Sequence, residues 1–143
     1  MKGPLVADTG GLLRALASRP GGEPAWPDYA EALTGASVVF VPSLVLAEVD
    51  YFLRNERAVM RKLIGEILDP ETTYELVMTT PADLVRALVI DAKFADLKLG
   101  LVDGMVAAVC ERMLVRRVLT TDRRHFTVVR VGPRYRQALT PVP

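Results

Sequence analysis

Two hydrophobic patterns alternate along this chain and predict alternating strands and helices. Short apolar runs that stop at a polar residue or a proline are typical of strands buried in a parallel sheet. Longer stretches with apolar residues three and four positions apart are typical of amphipathic helices. The runs that predict strands are 4–8, 37–41, 74–78, 117–121 and 127–131.

Helical spacing fills most of the chain between these strands. Leu12, Leu13 and Leu16 indicate a first helix, which the segment 20–24 interrupts with two prolines and two glycines. Pro27 and Pro81 stand where helices tolerate proline, in the first turn. The further predicted helices are 27–33, 43 to about 53, 57–68, 81 to about 95, and 102–114, with Ser43 and Thr80 as predicted N-caps.

This alternation predicts an α/β domain with a mostly parallel central sheet flanked by helices. The length of 143 residues and the 50% hydrophobic content fit one domain over 1–143. The chain starts Met1-Lys-Gly-Pro without the apolar segment of a signal peptide, and no run reaches the roughly 18 apolar residues of a membrane span. We therefore expect a soluble, cytoplasmic protein with no membrane association.

Charge and cysteine content argue against a globally basic nucleic-acid binder and against a protein built on disulfides or a zinc cluster. A formal net charge of +1 excludes a globally basic nucleic-acid binder. The single cysteine, Cys110, excludes an internal disulfide and makes a zinc cluster implausible, and its helical apolar neighbours predict a core position.

Positive charge is concentrated towards the C-terminus. One carboxylate, Asp122, accompanies eight arginines from position 112 onward. These side chains form either a solvated face or a rim that contacts phosphates, for which Arg123 and Arg124 are the nearest candidates to Asp122. The eight are Arg112, Arg116, Arg117, Arg123, Arg124, Arg130, Arg134 and Arg136.

Four carboxylates occupy positions in otherwise apolar segments. Burying a charge is costly unless another charge compensates it, so their pattern indicates a shared counter-charge. Because few histidine or cysteine ligands are available, a hard divalent cation bound by oxygen is the simplest one. The four are Asp8, Glu48, Asp103 and Asp122.

Their expected positions converge on one edge of the sheet. Asp8 and Asp122 directly follow apolar strands, and ligands of parallel sheets bind beyond the carboxyl ends of the strands. Glu48 shares a helix face with apolar residues one turn away, and Asp103 stands in a first turn, where the helix dipole favours negative charge. The alternative for Asp8, Asp103 or Asp122 taken singly is an ordinary helix cap or first-turn charge.

Two protein classes with acidic sites share parts of this pattern. Asp8-Thr9-Gly10 matches the triplet of aspartic proteases, but here it continues into a helical pattern instead of a β-loop. A phospho-acceptor receiver domain also places acids at strand ends, although it usually has paired acids after its first strand. His125, the only histidine, is either structural or catalytic.

The ordered motifs resemble those of PIN-domain ribonucleases, in particular the VapC toxins of bacterial toxin–antitoxin pairs. The resemblance spans nearly the whole chain, although Gly104 stands where such helices often have a better helix former. The tail 133–143 carries no assignable motif. The motifs are Leu5-Val-Ala-Asp8-Thr-Gly, Leu46-Ala-Glu48-Val, Leu99-Gly-Leu-Val-Asp103 and Leu119-Thr-Thr-Asp122-Arg-Arg-His-Phe126.

The resemblance implies a Rossmann-like PIN fold, a homodimer, Mg²⁺ or Mn²⁺ held by the four acids, cleavage of structured RNA of the tRNA or rRNA class, and a VapB-like antitoxin partner. We therefore predict a metal-dependent endoribonuclease, in which the metal activates a water. Thr120 or Thr121 is expected to order that water. The alternative is a non-catalytic PIN-like module that binds RNA or protein.

Overall fold

The structure consists of short strands joined mostly by pairs of helices. The computed structural model describes residues 2–143. Met1, the first residue of the N-terminal segment discussed above, lies outside the described residues. The strands are β1 (Leu5–Ala7), β2 (Val39–Pro42), β3 (Tyr74–Val77), β4 (Arg117–Leu119), β5 (Arg130–Val131), β6 (Gln137–Ala138) and β7 (Thr140–Val142). The α-helices are α1 (Thr9–Leu16), α2 (Pro27–Gly35), α3 (Ser43–Phe52), α4 (Arg57–Leu68), α5 (Pro81–Lys93), α6 (Gly100–Met113) and α7 (Arg123–Val128).

The central sheet is parallel at every strand pair. Its five strands have the order β3-β2-β1-β4-β7, which confirms the predicted α/β class. The chain adds β2 and then β3 on one side of β1, and β4 on the other side. The strand order therefore reverses between β1 and β4, and this reversal opens a crevice at their carboxyl ends.

The C-terminal region differs from its prediction. Residues 127 and 128 were predicted to begin a strand, but they end α7, whose Phe126 is fully buried and fixes the helix to the core. Only Arg130–Val131 is extended, and it pairs antiparallel with β6 in a separate two-stranded sheet. The tail without a motif supplies β7, an edge strand that contains Pro141, as edge strands can.

One predicted helix cap is wrong and another is confirmed. Ser43 is the first residue of α3 and does not cap it, because its hydroxyl pairs with that of Thr79 at 2.6 Å and accepts from the Thr79 N–H. Thr80 caps α5 in a capping box with Asp83. The helix predicted over 57–68 is confirmed at both ends.

Two glycines allow close packing that positions the helices of the crevice. A Cβ at Gly11 would overlap the backbone carbonyl of Leu119, so glycine lets α1 lie directly against the end of β4. A Cβ at Gly104 would be 2.6 Å from the carbonyl oxygen of Ala87, so this poor helix former brings α6 close to α5. Cys110 is buried in α6, as predicted. Within residues 2–143, none of the helices has both the length and the apolar character needed to span a bilayer.

Candidate metal centre

Asp8 lies at the carboxyl end of β1, where the strand order reverses. Its Oδ1 accepts a hydrogen bond of 2.8 Å from the Thr9 N–H, and its Oδ2 accepts one of 2.7 Å from the Thr120 hydroxyl. Only 6% of Asp8 is exposed. Both oxygens of this carboxylate are therefore held in fixed positions inside the protein.

Thr9 connects Asp8 to Glu48. The Thr9 hydroxyl donates a hydrogen bond of 2.6 Å to Oε1 of Glu48, which is half-buried on α3. The Thr9 hydroxyl has a single hydrogen, which it gives to Oε1, so Oε2 of Glu48 does not take part in this hydrogen bond. Thr9 thus orients Glu48 towards Asp8 across 39 residues of sequence.

His125 connects Asp103 to Asp122. Its Nδ1 atom lies 2.7 Å from Oδ2 of Asp103 and 2.8 Å from Oδ2 of Asp122. With both carboxylates ionised, Nδ1 donates its hydrogen to this pair of acceptors, because ionised carboxylates only accept hydrogen bonds. The backbone N–H of His125 also donates to Oδ1 of Asp122 at 3.0 Å.

Thr120 joins these two pairs. Its hydroxyl accepts from the Asp122 N–H at 2.9 Å and donates to Asp8. Asp8 and Asp122 each also cap a helix, α1 and α7 respectively. Asp8 and Asp122 are therefore helix caps and also members of one hydrogen-bonded cluster.

Burial and mutual repulsion raise the pKa values of two of the four acids, Asp8 and Asp103. Burial, together with the charges of Asp103 and Glu48, raises the pKa of Asp8 from 3.8 to about 6, although the hydrogen bonds from Thr120 and Thr9 oppose the shift. Burial also raises the pKa of Asp103, and the hydrogen bond and charge of His125 oppose this shift. The negative charges of Asp122 and Glu48 raise the pKa of Asp103 further. Across residues 2–143, the ion pairs of lysine and arginine involve other carboxylates than these four.

The ligand atoms fit a hard divalent cation. Asp103, Asp122 and His125 can each offer an atom within 4.8 Å of the others. Asp8 and Glu48 add carboxylate oxygens, and the charge of Glu48 acts on both Asp8 and Asp103. Oxygen-rich sites of this kind suit Mg²⁺ or Mn²⁺. Asp8 is buried and the other three acids are half-buried, which leaves the cluster accessible from solvent.

The structure places the remaining predicted residues around the cluster. Arg123 and Arg124 are exposed on α7, directly after Asp122, and Arg123 donates a hydrogen bond of 3.0 Å to the carbonyl oxygen of Pro143. The exposed Thr121 lies against Gly10, whereas the Thr120 hydroxyl is used to bind Asp8. Their phosphate-contacting and water-ordering roles stay predictions.

Two contributions were not visible in the sequence. Nothing in the local pattern relates Thr9 to Glu48, because that contact depends on how α1 packs on α3. The sequence did not decide between a structural and a catalytic His125, although its spacing of three residues from Asp122 places both on one turn of α7.

Comparisons with known proteins agree with this geometry. The family described as the PIN domain matches residues 5–131. Ribonuclease VapC26 of Mycobacterium tuberculosis is 30% identical over 136 residues, which is 88% of this chain and 92% of that protein. The crystal structure of Mycobacterium tuberculosis VapC20, described as a Sarcin-Ricin loop cleaving toxin, has a TM-score of 0.67 at 16% identity and covers 90% of this chain and 99% of that chain. At 16% identity, the similarity to VapC20 shows a shared fold only.

Proposed function

Because the chain belongs to the PIN-domain family and is related to VapC ribonucleases, we propose that it is a metal-dependent endoribonuclease and the toxin of a type II toxin–antitoxin pair. One observation carries this proposal. Four carboxylates converge where the strand order reverses, in two hydrogen-bonded pairs that Thr120 joins. We propose Mg²⁺ or Mn²⁺ as the cofactor.

The chemistry of phosphodiester hydrolysis requires what such a centre offers. A bound divalent cation supplies positive charge that acidifies an attacking water and neutralises the leaving oxygen. Asp8 and Asp103 are the proposed principal ligands, because their raised pKa values reflect an unfavourable charge that a cation relieves. Glu48 and Asp122 complete the set as further ligands or through water.

The protein contributes geometry to this reaction. Thr9 and Thr120 hold the carboxylates of Glu48 and Asp8 at fixed orientations, so little reorganisation is needed when RNA binds. Arg123 and Arg124 are proposed to contact phosphates, since both are exposed beside the acids. Such contacts offset the repulsion between RNA and the acidic cluster.

The proposed substrate is structured RNA of the tRNA or rRNA class. VapC20, the protein with a similar fold, is described as a Sarcin-Ricin loop cleaving toxin. Thr121, in the loop between β4 and α7, is exposed and leaves access for a single-stranded segment presented by a folded RNA.

Cleavage mapping tests the activity and the substrate together. Total cellular RNA is incubated with the purified chain in Mg²⁺ or in EDTA, and new 5′ ends are sequenced. We expect a small number of cleavage sites that depend on metal. Binding of RNA without new ends in any metal would favour the alternative, a non-catalytic binding module.

An antitoxin partner is proposed for the groove beside α3 and α4. A cavity of about 250 Å³ lies between α1 and these helices, lined by Leu13, Leu16, Leu53 and Val59 among others. Tyr51 and Phe52 are 60% and 59% exposed nearby on α3. An apolar helix fits such a groove, and a basic side chain placed among the acids would compete with metal. Co-expression of a neighbouring small reading frame should then relieve growth arrest.

We also propose a homodimer, one PIN domain over the whole chain and a cytoplasmic location. The dimer proposal is supported by α5, whose Val85, Leu88 and Val89 are 66%, 56% and 44% exposed. A row of apolar side chains on one helix favours contact with another protein surface. Sedimentation equilibrium of wild type and Leu88→Glu measures this directly, and a monomeric wild-type protein contradicts it.

A further inference from the structure

An exposed aromatic cluster lies outside the acidic centre. Trp26, the residue before α2, is 44% exposed although Arg14 covers its ring with the guanidinium carbon 4.0 Å from the ring centroid. Tyr29 packs edge-on against Trp26, with ring centroids 6.3 Å apart, and lies 5.4 Å from the same guanidinium carbon. A large flat surface with positive charge behind it is therefore presented to solvent.

The cluster is connected to the acidic centre. The Tyr29 hydroxyl donates a hydrogen bond of 3.3 Å to the carbonyl oxygen of Thr120, whose side chain binds Asp8. Arg14 follows Gly10 by four residues on α1, so both lie on one helix face, and Gly10 contacts Thr121. The cluster thus lies alongside the loop between β4 and α7, within reach of an RNA strand that crosses the acids.

We infer that Trp26, backed by Arg14, is a stacking site for a nucleobase of the RNA next to the cleaved phosphate. This inference rests on the proposed ribonuclease function. Unpaired bases stack on aromatic rings and on guanidinium planes, and every base has a face suited to this. Trp26 would therefore select an unstacked nucleotide without selecting its sequence.

Two features favour RNA over a protein partner at this site. The guanidinium of Arg14 places a cation against the exposed Trp26 ring, which suits a polyanion. The neighbouring carboxylates Asp28 and Glu31 line a cavity together with Lys2 and Arg117, whereas the charged group that contacts the Trp26 ring is the guanidinium of Arg14.

Fluorescence can report on this site without cleavage, because Trp26 is the only tryptophan of the chain. A single-stranded RNA hexamer of mixed sequence is titrated into the wild-type protein in EDTA, and binding is followed in parallel by anisotropy of a labelled hexamer. We expect saturable quenching of Trp26 with the same midpoint as the anisotropy.

A matched variant moves the reporter to another exposed aromatic position. The double variant Trp26→Phe with Phe52→Trp keeps a ring at 26 and places the indole on α3, where Phe52 is 59% exposed. It should bind the hexamer without comparable quenching. Binding of RNA with no change in Trp26 fluorescence, equal quenching of both reporters, or no RNA binding at all overturns the inference.

Kinetics separates a stacking role from a structural one. Trp26→Ala should raise KM for the RNA that the wild-type protein cleaves about 10-fold with little change in kcat, whereas Trp26→Phe should retain most of the affinity. A melting curve shows whether Trp26→Ala remains folded at the assay temperature. A folded Trp26→Ala protein with unchanged KM contradicts the inference. Quenching without cleavage in Mg²⁺ leaves the stacking site intact and removes the nuclease function instead.

Discussion

The imidazole Nδ1 of His125 lies 2.7 Å from Oδ2 of Asp103, and Asp103, Asp122 and His125 can each offer a ligand atom within 4.8 Å of the others. The N–H of His125 therefore compensates part of the negative charge when no metal is bound. Hard cations such as Mg²⁺ prefer oxygen to imidazole nitrogen. We interpret His125 as a residue that holds the two acids in place.

His125→Ala should destabilise the metal-free protein by about 1.5–3 kcal/mol, because it removes a hydrogen bond to charged groups. His125→Asn, which keeps an N–H donor near the position of Nδ1, should lose much less. Thermal unfolding in EDTA and in millimolar Mg²⁺ measures both. We expect a larger Mg²⁺-induced rise in Tm for His125→Ala than for wild type. A smaller rise would make His125 a metal ligand.

Thr9 should affect activity through the orientation of Glu48. Thr9→Val preserves shape but removes the hydroxyl that binds Oε1 of Glu48. The loss of a residue that orients a ligand typically costs about 10-fold or more in activity. Thr9→Ser keeps the hydroxyl and serves as the control. Equal cleavage rates for Thr9→Val and Thr9→Ser would show that this hydrogen bond does not matter for catalysis.

Gly11 and Gly65 should respond in opposite directions to alanine. Gly11→Ala forces a methyl group into the Leu119 carbonyl and should destabilise the protein by about 1–3 kcal/mol. Gly65 is exposed within α4 and has open space around it, so Gly65→Ala should stabilise by about 0.5–1 kcal/mol. Urea unfolding of both variants measures the difference. A neutral Gly11→Ala would mean that α1 and β4 are less closely packed.

The effect of metal should depend on pH through Asp8. Burial, then the charges of Asp103 and Glu48, raises the pKa of Asp8 to about 6, so the folded protein holds this proton more tightly than the unfolded chain. The stabilisation from the protonated form is complete below the unfolded pKa of 3.8 and is lost as pH rises through about 6. Metal must replace the proton.

The rise in Tm caused by Mg²⁺ should therefore be small at about pH 5 and large at about pH 7. Asp8→Asn has no proton to lose at this position, so its response to Mg²⁺ should be weaker and should change less with pH. A wild-type response that is constant over this range would contradict the assigned role of Asp8.

The sequence predicted β1, β2 and β4 because each is a bounded apolar run, and it singled out the four acids because each lies in or directly after an apolar segment. It failed at the C-terminus, where β7 has the sequence Thr-Pro-Val, which is not an apolar run and contains Pro141. That strand forms only because β4 offers a free edge, and this edge exists only in the folded protein.

Contacts between elements that are distant in the chain could not be predicted from the sequence either. The hydrogen bond from Thr9 to Glu48 follows from the packing of α1 on α3, and the stack of Arg14 on Trp26 follows from the path of the loop before α2. Gly104 illustrates the same limit. Its low helix propensity is local, whereas its benefit, the close approach to Ala87, comes from tertiary packing.

The rate of RNA cleavage by Asp103→Asn in saturating Mg²⁺, relative to wild type, measures whether the acidic cluster carries out the reaction. The substitution keeps the shape of Asp103 but removes a charge from the cluster, while the amide oxygen can still face His125. We predict a fall of at least about 100-fold in rate, with melting in EDTA unchanged or raised because repulsion among the acids is reduced. Cleavage at the wild-type rate by this folded variant would contradict the account.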